Sequence, residues 1–305
     1  MENDRENLTV AFDTHAVNPG LTKSLVTLRP VFAGLLIAMV AANMWPLLLL
    51  NLGVSAAAIV EVIFLTLYVW WAAGGGPPRR WQMARAAAFR RKTLSLAQWA
   101  WGVVAAFFFA VMIHASLVLL FRFVPFPTTE FRHGYDFSFI PTLHLRWLAV
   151  IISAISAGIC EETGFRGYMQ QPIELRYGAP VAIAISSILF LAVHLTKSWA
   201  LIGMIPIVFG AGILLGLLAR SSKSLIPGMI GHTMMDVGLF AYWWTGVAGT
   251  FSARPISESG VDGPFVVACA ALTISFSIVL LAISKLRRST RSDMEYLSRP
   301  ERPQL

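Results

Sequence analysis

Charged residues are scarce in this chain: Asp, Glu, Lys and Arg make up 13% of its 305 residues, whereas hydrophobic residues make up 56%. The mean hydropathy is +0.67. A soluble domain does not carry this balance. The composition therefore excludes the ordinary soluble classes and predicts an all-α fold, a polytopic bundle of transmembrane helices surrounded by the lipid bilayer.

Cysteine is also scarce. Cys160 and Cys269 are the two in the chain; both lie in apolar runs, and they have no C-x-x-C spacing. Two isolated thiols support neither a disulfide framework nor a zinc ribbon. We interpret both as small packing residues.

Three further features are missing from the sequence. The first 27 residues are mixed polar and acidic, so we expect no cleavable signal peptide. We find no internal repeat and no glycine-rich phosphate loop. Nucleotide binding therefore has no support, and a transporter built from repeated halves is disfavoured.

Eight apolar runs are near or above the roughly 20 residues that a helix needs to cross a bilayer. We expect a flexible tail at 1–27, a transmembrane bundle at 28–286 and a basic tail at 287–305. The eight runs lie at roughly 28–50, 54–73, 94–122, 147–175, 179–198, 200–219, 225–246 and 263–285.

Basic residues are distributed unevenly over this topology. Eight spans put both ends of the chain on one side, and that side holds 19 of the 24 Lys and Arg residues. Since basic loops stay in the cytoplasm, we expect both termini to be cytoplasmic. Six of these residues lie at 79–92. We interpret them as a loop on anionic lipid, so no nucleic acid partner is expected. The oligomeric state has no signature in the sequence.

Two adjacent carboxylates interrupt the fourth apolar run. Glu161 and Glu162 follow residues 148–160, which carry no charge, and a charge at mid-bilayer costs about 2.5 kcal/mol or more. In a helix, Glu162 and Arg166 lie one turn apart and can pair, while Glu161 points about 100° away. We therefore predict one structural carboxylate, Glu162, and one chemical carboxylate, Glu161.

Two later apolar runs are also interrupted, one by His194 and one by His232 with Asp236. The i to i+4 spacing of the pair puts both side chains on one helix face. Glu161 precedes the turn near Gly178 by as many residues as His194 follows it, so in an antiparallel hairpin both lie ~25 Å from the turn. By the same rise, His232 and Asp236 lie roughly 10–18 Å from the next cytoplasmic turn. The groups can therefore meet in one site that opens toward the cytoplasm.

The chemistry of these side chains leaves three options open. Glu161 with His194 can deprotonate a water that attacks a carbonyl, with His232 and Asp236 orienting the substrate or stabilising the oxyanion. Two histidines and a carboxylate can instead bind zinc and activate its water, the ligands then being Glu161, His194 and His232. A proton relay in a transporter is the third option.

Two other polar residues lie in apolar runs. We interpret Glu61 as structural, an acid that either snorkels to the lipid surface or pairs helices, rather than as a second site residue. His114 is interpreted as interfacial packing. Neither is assigned a chemical role.

The three motifs resemble those of a known family. The sequences E-E-T-G-F-R at 161–166, F-L-A-V-H at 190–194 and H-T-M-M-D at 232–236 resemble, in order and approximate spacing, the motifs of the CAAX protease and bacteriocin-processing family. These are intramembrane endopeptidases related to the type II CAAX prenyl endopeptidases. The resemblance covers about residues 147–246, the protease-like core, and implies a location in the inner membrane of a bacterial cell.

The resemblance also implies roles for single residues. Glu161 would activate the attacking water with the help of His194, and His232 and Asp236 would form the oxyanion site. Glu162 and Arg166 would support them. At the last position the family frequently has Asn; here it is Asp236, and an ionised carboxylate accepts hydrogen bonds but donates none. Asp236 would then orient His232, be protonated, or bind a metal.

We therefore predict an intramembrane glutamate endopeptidase that needs no cofactor and cleaves a protein or peptide, prenylated or not. A zinc-dependent version of the same protease is the alternative. A second alternative is a membrane immunity or interaction protein that has the same scaffold but no catalytic activity. Retention of all four polar positions favours the enzyme, because a scaffold has no reason to bury them.

Overall fold

The computed structural model describes the backbone of residues 19–127, 136–195, 202–252 and 254–297, and the side chains from 28 to 292 within these ranges. Within these ranges the chain forms helices and no strand. The helices are α1 Pro19–Ala42, α2 Met44–Leu52, α3 Val54–Ala72, α4 Gln82–Ala88, α5 Leu96–Phe123, α6 Leu143–Glu161, α7 Gln171–Tyr177, α8 Ala179–Leu195, α9 Met204–Ser222, α10 Ile226–Gly238, α11 Ile256–Ser259 and α12 Gly263–Leu297.

Three short segments of other helix types join these elements. A 3₁₀ turn, Arg79–Trp81, leads into α4. A π-helix, Glu162–Gln170, connects α6 to α7 without a break. A second π-helix, Leu239–Trp244, continues α10.

Six helices of the described part are long and apolar enough to cross a membrane: Leu28–Leu52, Val54–Ala72, Leu96–Phe123, Leu143–Tyr177, Met204–Ser222 and Gly263–Ser292. The protein is therefore a multi-pass helical membrane protein, as predicted. Six of the eight predicted spans correspond to these helices, and the regions of the other two predicted spans form shorter helices. The segment Ala179–Leu195 is apolar and shorter than a full span, and α10 ends at Gly238 after 13 residues.

The predicted tails differ from the helix boundaries. Residues 19–27 were assigned to the N-terminal tail, but α1 begins at Pro19. At the other end α12 continues past residue 286 to Leu297. Proline is tolerated in the first turn of a helix, so it marks the start of α1. Residues 287–297 contain neither glycine nor proline to end α12.

The helices that carry the site pack in one group. Helix α10 lies against α5 and α6, α8 lies against α9, and α1 lies against the π-helix 162–170. Small residues allow these approaches, as is usual in membrane bundles. At Gly164, for example, a Cβ would come within 2.5 Å of the Gly34 carbonyl oxygen and of the Ala38 Cβ. The result is that both carboxylates and His232 are buried among these helices, whereas His194 is partly exposed.

The outer surface of the bundle is apolar. Large hydrophobic side chains on α1, α2, α3, α5, α8 and α12 are exposed, and such a belt is suited to contact with lipid. Examples are Phe32, Leu36, Leu50, Ile59, Ile63, Phe107, Ile188 and Val267.

Candidate active site

The site is built around the junction where α6 changes into the π-helix. Glu161 is the last residue of α6 and Glu162 is the first residue of the π-helix. Single π turns in α-helices occur frequently at functional sites. The two carboxylates face different nitrogens of the His232 imidazole: the Oε1 of Glu162 lies 2.9 Å from Nδ1 and the Oε2 of Glu161 lies 4.0 Å from Nε2.

Glu162 and Arg166 form the predicted ion pair. The Nη1 of Arg166 lies 2.9 Å from the Oε1 of Glu162, and both side chains are fully buried. Nη2 of Arg166 also donates to the carbonyl oxygen of Gly212, at 3.3 Å. Its guanidinium lies over the ring of Phe190, 4.4 Å from the centroid. The cation thus contacts α8 and α9 as well as the carboxylate.

His232 is held by Glu162. Its Nδ1 lies 2.9 Å from the Oε1 of Glu162, and a carboxylate oxygen accepts, so Nδ1 carries the proton. The Nε2 of the same ring faces two other carboxylates, the Oδ2 of Asp236 at 3.6 Å and the Oε2 of Glu161 at 4.0 Å. The i to i+4 prediction for His232 and Asp236 is confirmed. A close approach of α10 allows this, since a Cβ at Gly228 would be 3.0 Å from the Oε2 of Glu162.

His194 approaches Glu161 from α8. Its Nε2 is 3.8 Å from the Oε2 of Glu161, which confirms the prediction that the two lie at one level of the hairpin. The Nδ1 of His194 donates to the carbonyl oxygen of Phe190, at 2.7 Å. The ring of Phe190 packs at 4.4 Å from the imidazole and at 5.8 Å from that of His232. The ring of Phe190 therefore lies between the imidazoles of the two histidines and the guanidinium of Arg166.

Both histidines have the same arrangement of nitrogens. Each uses Nδ1 to donate to a protein oxygen and turns Nε2 toward the Oε2 of Glu161. Separations of 3.8 and 4.0 Å are too long for direct hydrogen bonds. They fit one water-sized atom between the groups, which could bond to each at about 2.8 Å.

The donor set was compared with that of a zinc site. Engagement of both Nδ1 atoms is the outer-shell pattern of zinc-binding histidines. However, three donors at about 2.0–2.2 Å from one tetrahedral zinc lie roughly 3.3–3.5 Å apart, which is closer than the separations of Glu161 from the two histidines. In the part of the chain that the structure describes, no group of three His, Cys, Asp or Glu side chains has the arrangement of a metal site.

One residue near the site was underestimated from the sequence. His114 on α5 packs against α10 and makes two specific hydrogen bonds there: its Nε2 donates to the carbonyl oxygen of Met235, at 3.1 Å, and its Nδ1 accepts from the Nε1 of Trp243, at 3.0 Å. His114 thereby holds the backbone of α10 next to Asp236. Sequence spacing contains no signal for this contact, because α5 and α10 are far apart in the chain.

Glu61 on α3 pairs helices, as predicted. The hydroxyl of Ser156 on α6 donates to its Oε1, at 2.7 Å, and Glu61 is 0% exposed. Cys160 is a free and fully buried thiol in an apolar cluster with Ala41 and Leu65. These contacts fasten α6 to its neighbours just before the carboxylates.

Comparison with protein families gave a match to part of the chain. Residues 142–238 match the family model described as type II CAAX prenyl endopeptidase Rce1-like. This segment contains Glu161, Glu162, Arg166, His194, His232 and Asp236. No match was found among curated proteins or among solved structures. The segment that carries the candidate site is thus similar to the type II CAAX prenyl endopeptidases.

Proposed function

We propose that the protein is an intramembrane endopeptidase that hydrolyses a peptide bond with a water activated by Glu161 and His194. The observation that carries this proposal is the convergence of two imidazole Nε2 atoms on one carboxylate oxygen, at 3.8 and 4.0 Å. A water held there lies within reach of a base on one side and of a nitrogen acceptor on the other. The substrate class follows the matched family: a protein or peptide, prenylated or not.

The reaction then proceeds in two steps. Glu161 takes a proton from the water, whose oxygen attacks the carbonyl carbon and forms a tetrahedral intermediate. When the C–N bond breaks, the leaving amine takes that proton back from Glu161. His232, with a proton on Nε2, donates to the oxyanion, as preorganised donors do in other acyl transfers. Glu162 orients this imidazole through Nδ1, and Arg166 holds Glu162.

Asp236 has a different task from the Asn that is frequent in the family. A carboxylate donates no hydrogen bond, so it does not bind the oxyanion. Its Oδ2 lies 3.6 Å from the Nε2 of His232, where it stabilises a proton on that nitrogen. We expect Asp236→Asn, which is similar in shape, to keep activity within about tenfold, and Asp236→Leu to lose more than about 100-fold, in the range of a removed oxyanion group. Initial cleavage rates of the two variants test this, and equal losses in both would contradict it.

The decisive experiment compares the purified protein with its Glu161→Gln variant on a fluorogenic peptide, with and without a farnesylated C-terminal cysteine. We expect the variant to lose about 10²–10⁴-fold in rate, the contribution of a general base. Equal cleavage by the two proteins would remove the assigned base. Cleavage of neither peptide by the unsubstituted protein would favour the immunity or interaction protein without catalysis.

The zinc-dependent version is tested in the same assay. Its ligands would be Glu161, His194 and His232, and the metal would supply Lewis-acid activation of the water. We expect activity to survive dialysis against a chelator. Loss of activity on dialysis and its recovery with added zinc would establish the zinc enzyme instead.

The proposed orientation has both termini in the cytoplasm of a bacterial cell, with the protein in the inner membrane. The support is the bias of basic residues, 19 of 24 on one side. A cysteine introduced at Arg80, on the basic loop, should react with an impermeant maleimide only after the cells are opened. Reaction in intact cells would reverse the orientation.

A further inference from the structure

A cavity of about 230 Å³ lies on the basic side of the molecule, away from the catalytic carboxylate. It is formed by the end of α4, by α7 and by the turn between α9 and α10. Its charged lining residues are Arg90, Arg91, Lys223 and Glu174, and the uncharged lining consists of Gln171, Leu175 and two alanines of α4. Neither the family motifs nor the proposed reaction uses it.

Positive charge is in excess around this cavity. The carboxylate of Glu174 is shared by three cations: Arg90 at 2.7 Å, Lys223 at 3.8 Å and Arg220 at 3.9 Å. Arg91 adds a further cation to the lining. One carboxylate does not neutralise four basic groups, so an anion in the cavity would be stabilised electrostatically.

The environment of Lys223 reflects the same excess. Partial burial lowers the pKa of Lys223, an effect that Glu174 opposes and that three nearby cations increase: Arg90, Arg220 and Lys92. Lys223 sits just beyond the end of α9 with φ +55°, and Arg90 follows α4 with φ +52°. Left-handed backbone is uncommon for such side chains, and at both positions it ends a helix at the cavity.

The cavity lies where membrane spans end. The candidate spans that pass the site end at Tyr177 and Ser222, next to the cavity lining. The helix α4 and the turn before it expose Met83 and Trp81, which are 84% and 48% accessible, and Leu175 is 66% accessible. Exposed Trp with basic residues at the end of a span is typical of the headgroup region of a membrane.

We propose that this cavity binds the phosphate of an anionic membrane lipid. The cations contact the phosphate, and the apolar side chains beside the opening contact the acyl chains. Basic pockets between the cytoplasmic ends of membrane helices are suited to such headgroups. A lipid fits better than a free anion, because the opening is flanked by exposed apolar side chains.

The cavity is connected to the catalytic site by one hydrogen bond. The Nε of Arg90 donates to the carbonyl oxygen of Arg166, at 3.3 Å, and Arg166 holds Glu162. A bound lipid phosphate therefore braces the turn that positions the buried ion pair. We expect anionic lipid to raise the melting temperature of the protein, and this expectation does not depend on whether the protein cleaves peptides.

The test uses the full-length protein in a neutral detergent and native mass spectrometry with phosphatidylglycerol or phosphatidylcholine. We expect retention of phosphatidylglycerol and little of phosphatidylcholine. Arg91→Gln and Lys223→Asn should each weaken binding about fivefold, the effect of one basic residue near anionic lipid. Asn suits the left-handed backbone at position 223. The matched controls are Arg79→Gln and Arg80→Gln, on the same basic loop but outside the cavity lining.

Three results would overturn the proposal. Equal losses in the cavity variants and in the controls would mean a general attraction of the basic loop to lipid. Inorganic phosphate that binds as tightly as the lipid would mean a free anion site. Retention of phosphatidylcholine equal to that of phosphatidylglycerol would remove the role of charge.

Discussion

The two histidines of the site are held in different ways. His232 has 2% of its side chain exposed and donates to the buried carboxylate of Glu162. His194 has 22% exposed and donates to a backbone carbonyl of its own helix. A carboxylate partner fixes an imidazole and raises its basicity more than a carbonyl does. The comparison indicates that His232 is held rigidly at the buried side of the site and that His194 lies at the opening of the site.

The largest loss of stability is expected at the buried side of the site, where Glu162 holds His232 and Arg166. Glu162→Ala leaves Arg166 buried without its carboxylate and His232 without its acceptor. Breaking one partner of a buried pair costs about 3–5 kcal/mol, so the free energy of unfolding should fall by that amount. Unfolding in mixed detergent micelles measures it. Glu258→Ala, at an exposed carboxylate of α11, is the control and should change stability by less than about 0.5 kcal/mol.

If Glu162→Ala lowered the free energy of unfolding by less than about 1 kcal/mol, this result would contradict the view that Glu162 holds His232 and Arg166 rigidly. The double variant Glu162→Leu with Arg166→Met sharpens the result. Replacement of a whole buried ion pair by apolar residues is often neutral or stabilising, so it should be more stable than Glu162→Ala. Its cleavage activity should still be lost, because His232 remains without an acceptor.

The accessibility of His194 at the opening of the site is tested by chemical rescue. His194→Ala and His232→Ala should each lose about 10²-fold or more in cleavage rate. Imidazole added to the buffer should restore part of the rate of His194→Ala, because that position is partly exposed. It should not restore His232→Ala, whose position is closed. Rescue of both variants, or of His232→Ala alone, would contradict the conclusion that His232 is closed off and that His194 lies at the opening.

The smallest losses of stability and activity are expected at His114, which contacts the backbone of α10. His114→Phe leaves the carbonyl oxygen of Met235 and the Nε1 of Trp243 without the partner they have now. An unsatisfied buried polar group costs about 1–3 kcal/mol, and a shift of α10 should lower the cleavage rate through Asp236. Thermal unfolding and initial rates measure the two effects. His144→Phe, at an exposed position of α6, should leave both unchanged, and an equal loss there would exclude a specific role for His114.

Contacts within one helix or one hairpin were predictable from the sequence. The pair Glu162 and Arg166 and the pair His232 and Asp236 follow from i to i+4 spacing. The level of Glu161 and His194 follows from equal distances to one turn. Both arguments need only the rise of a helix and the position of a glycine.

Contacts that depend on the π-helix were not predictable. A π turn differs from an α turn by one residue and has no strong sequence signature, so the distances from the two carboxylates to the histidines could not be derived from spacing. The seventh predicted span also differs in form from a regular helix, because α10 is short and changes helix type at Gly238.

The amino-acid sequence by itself determined the class of the protein, an apolar helical bundle, and the few polar residues that interrupt its apolar helices. Only the tertiary structure decided which oxygen faces which nitrogen. The bond from His232 to Glu162 spans 70 residues and the bond from His114 to Met235 spans 121. Helix periodicity orders neighbours along one axis, whereas contacts between axes depend on side-chain packing that no spacing encodes.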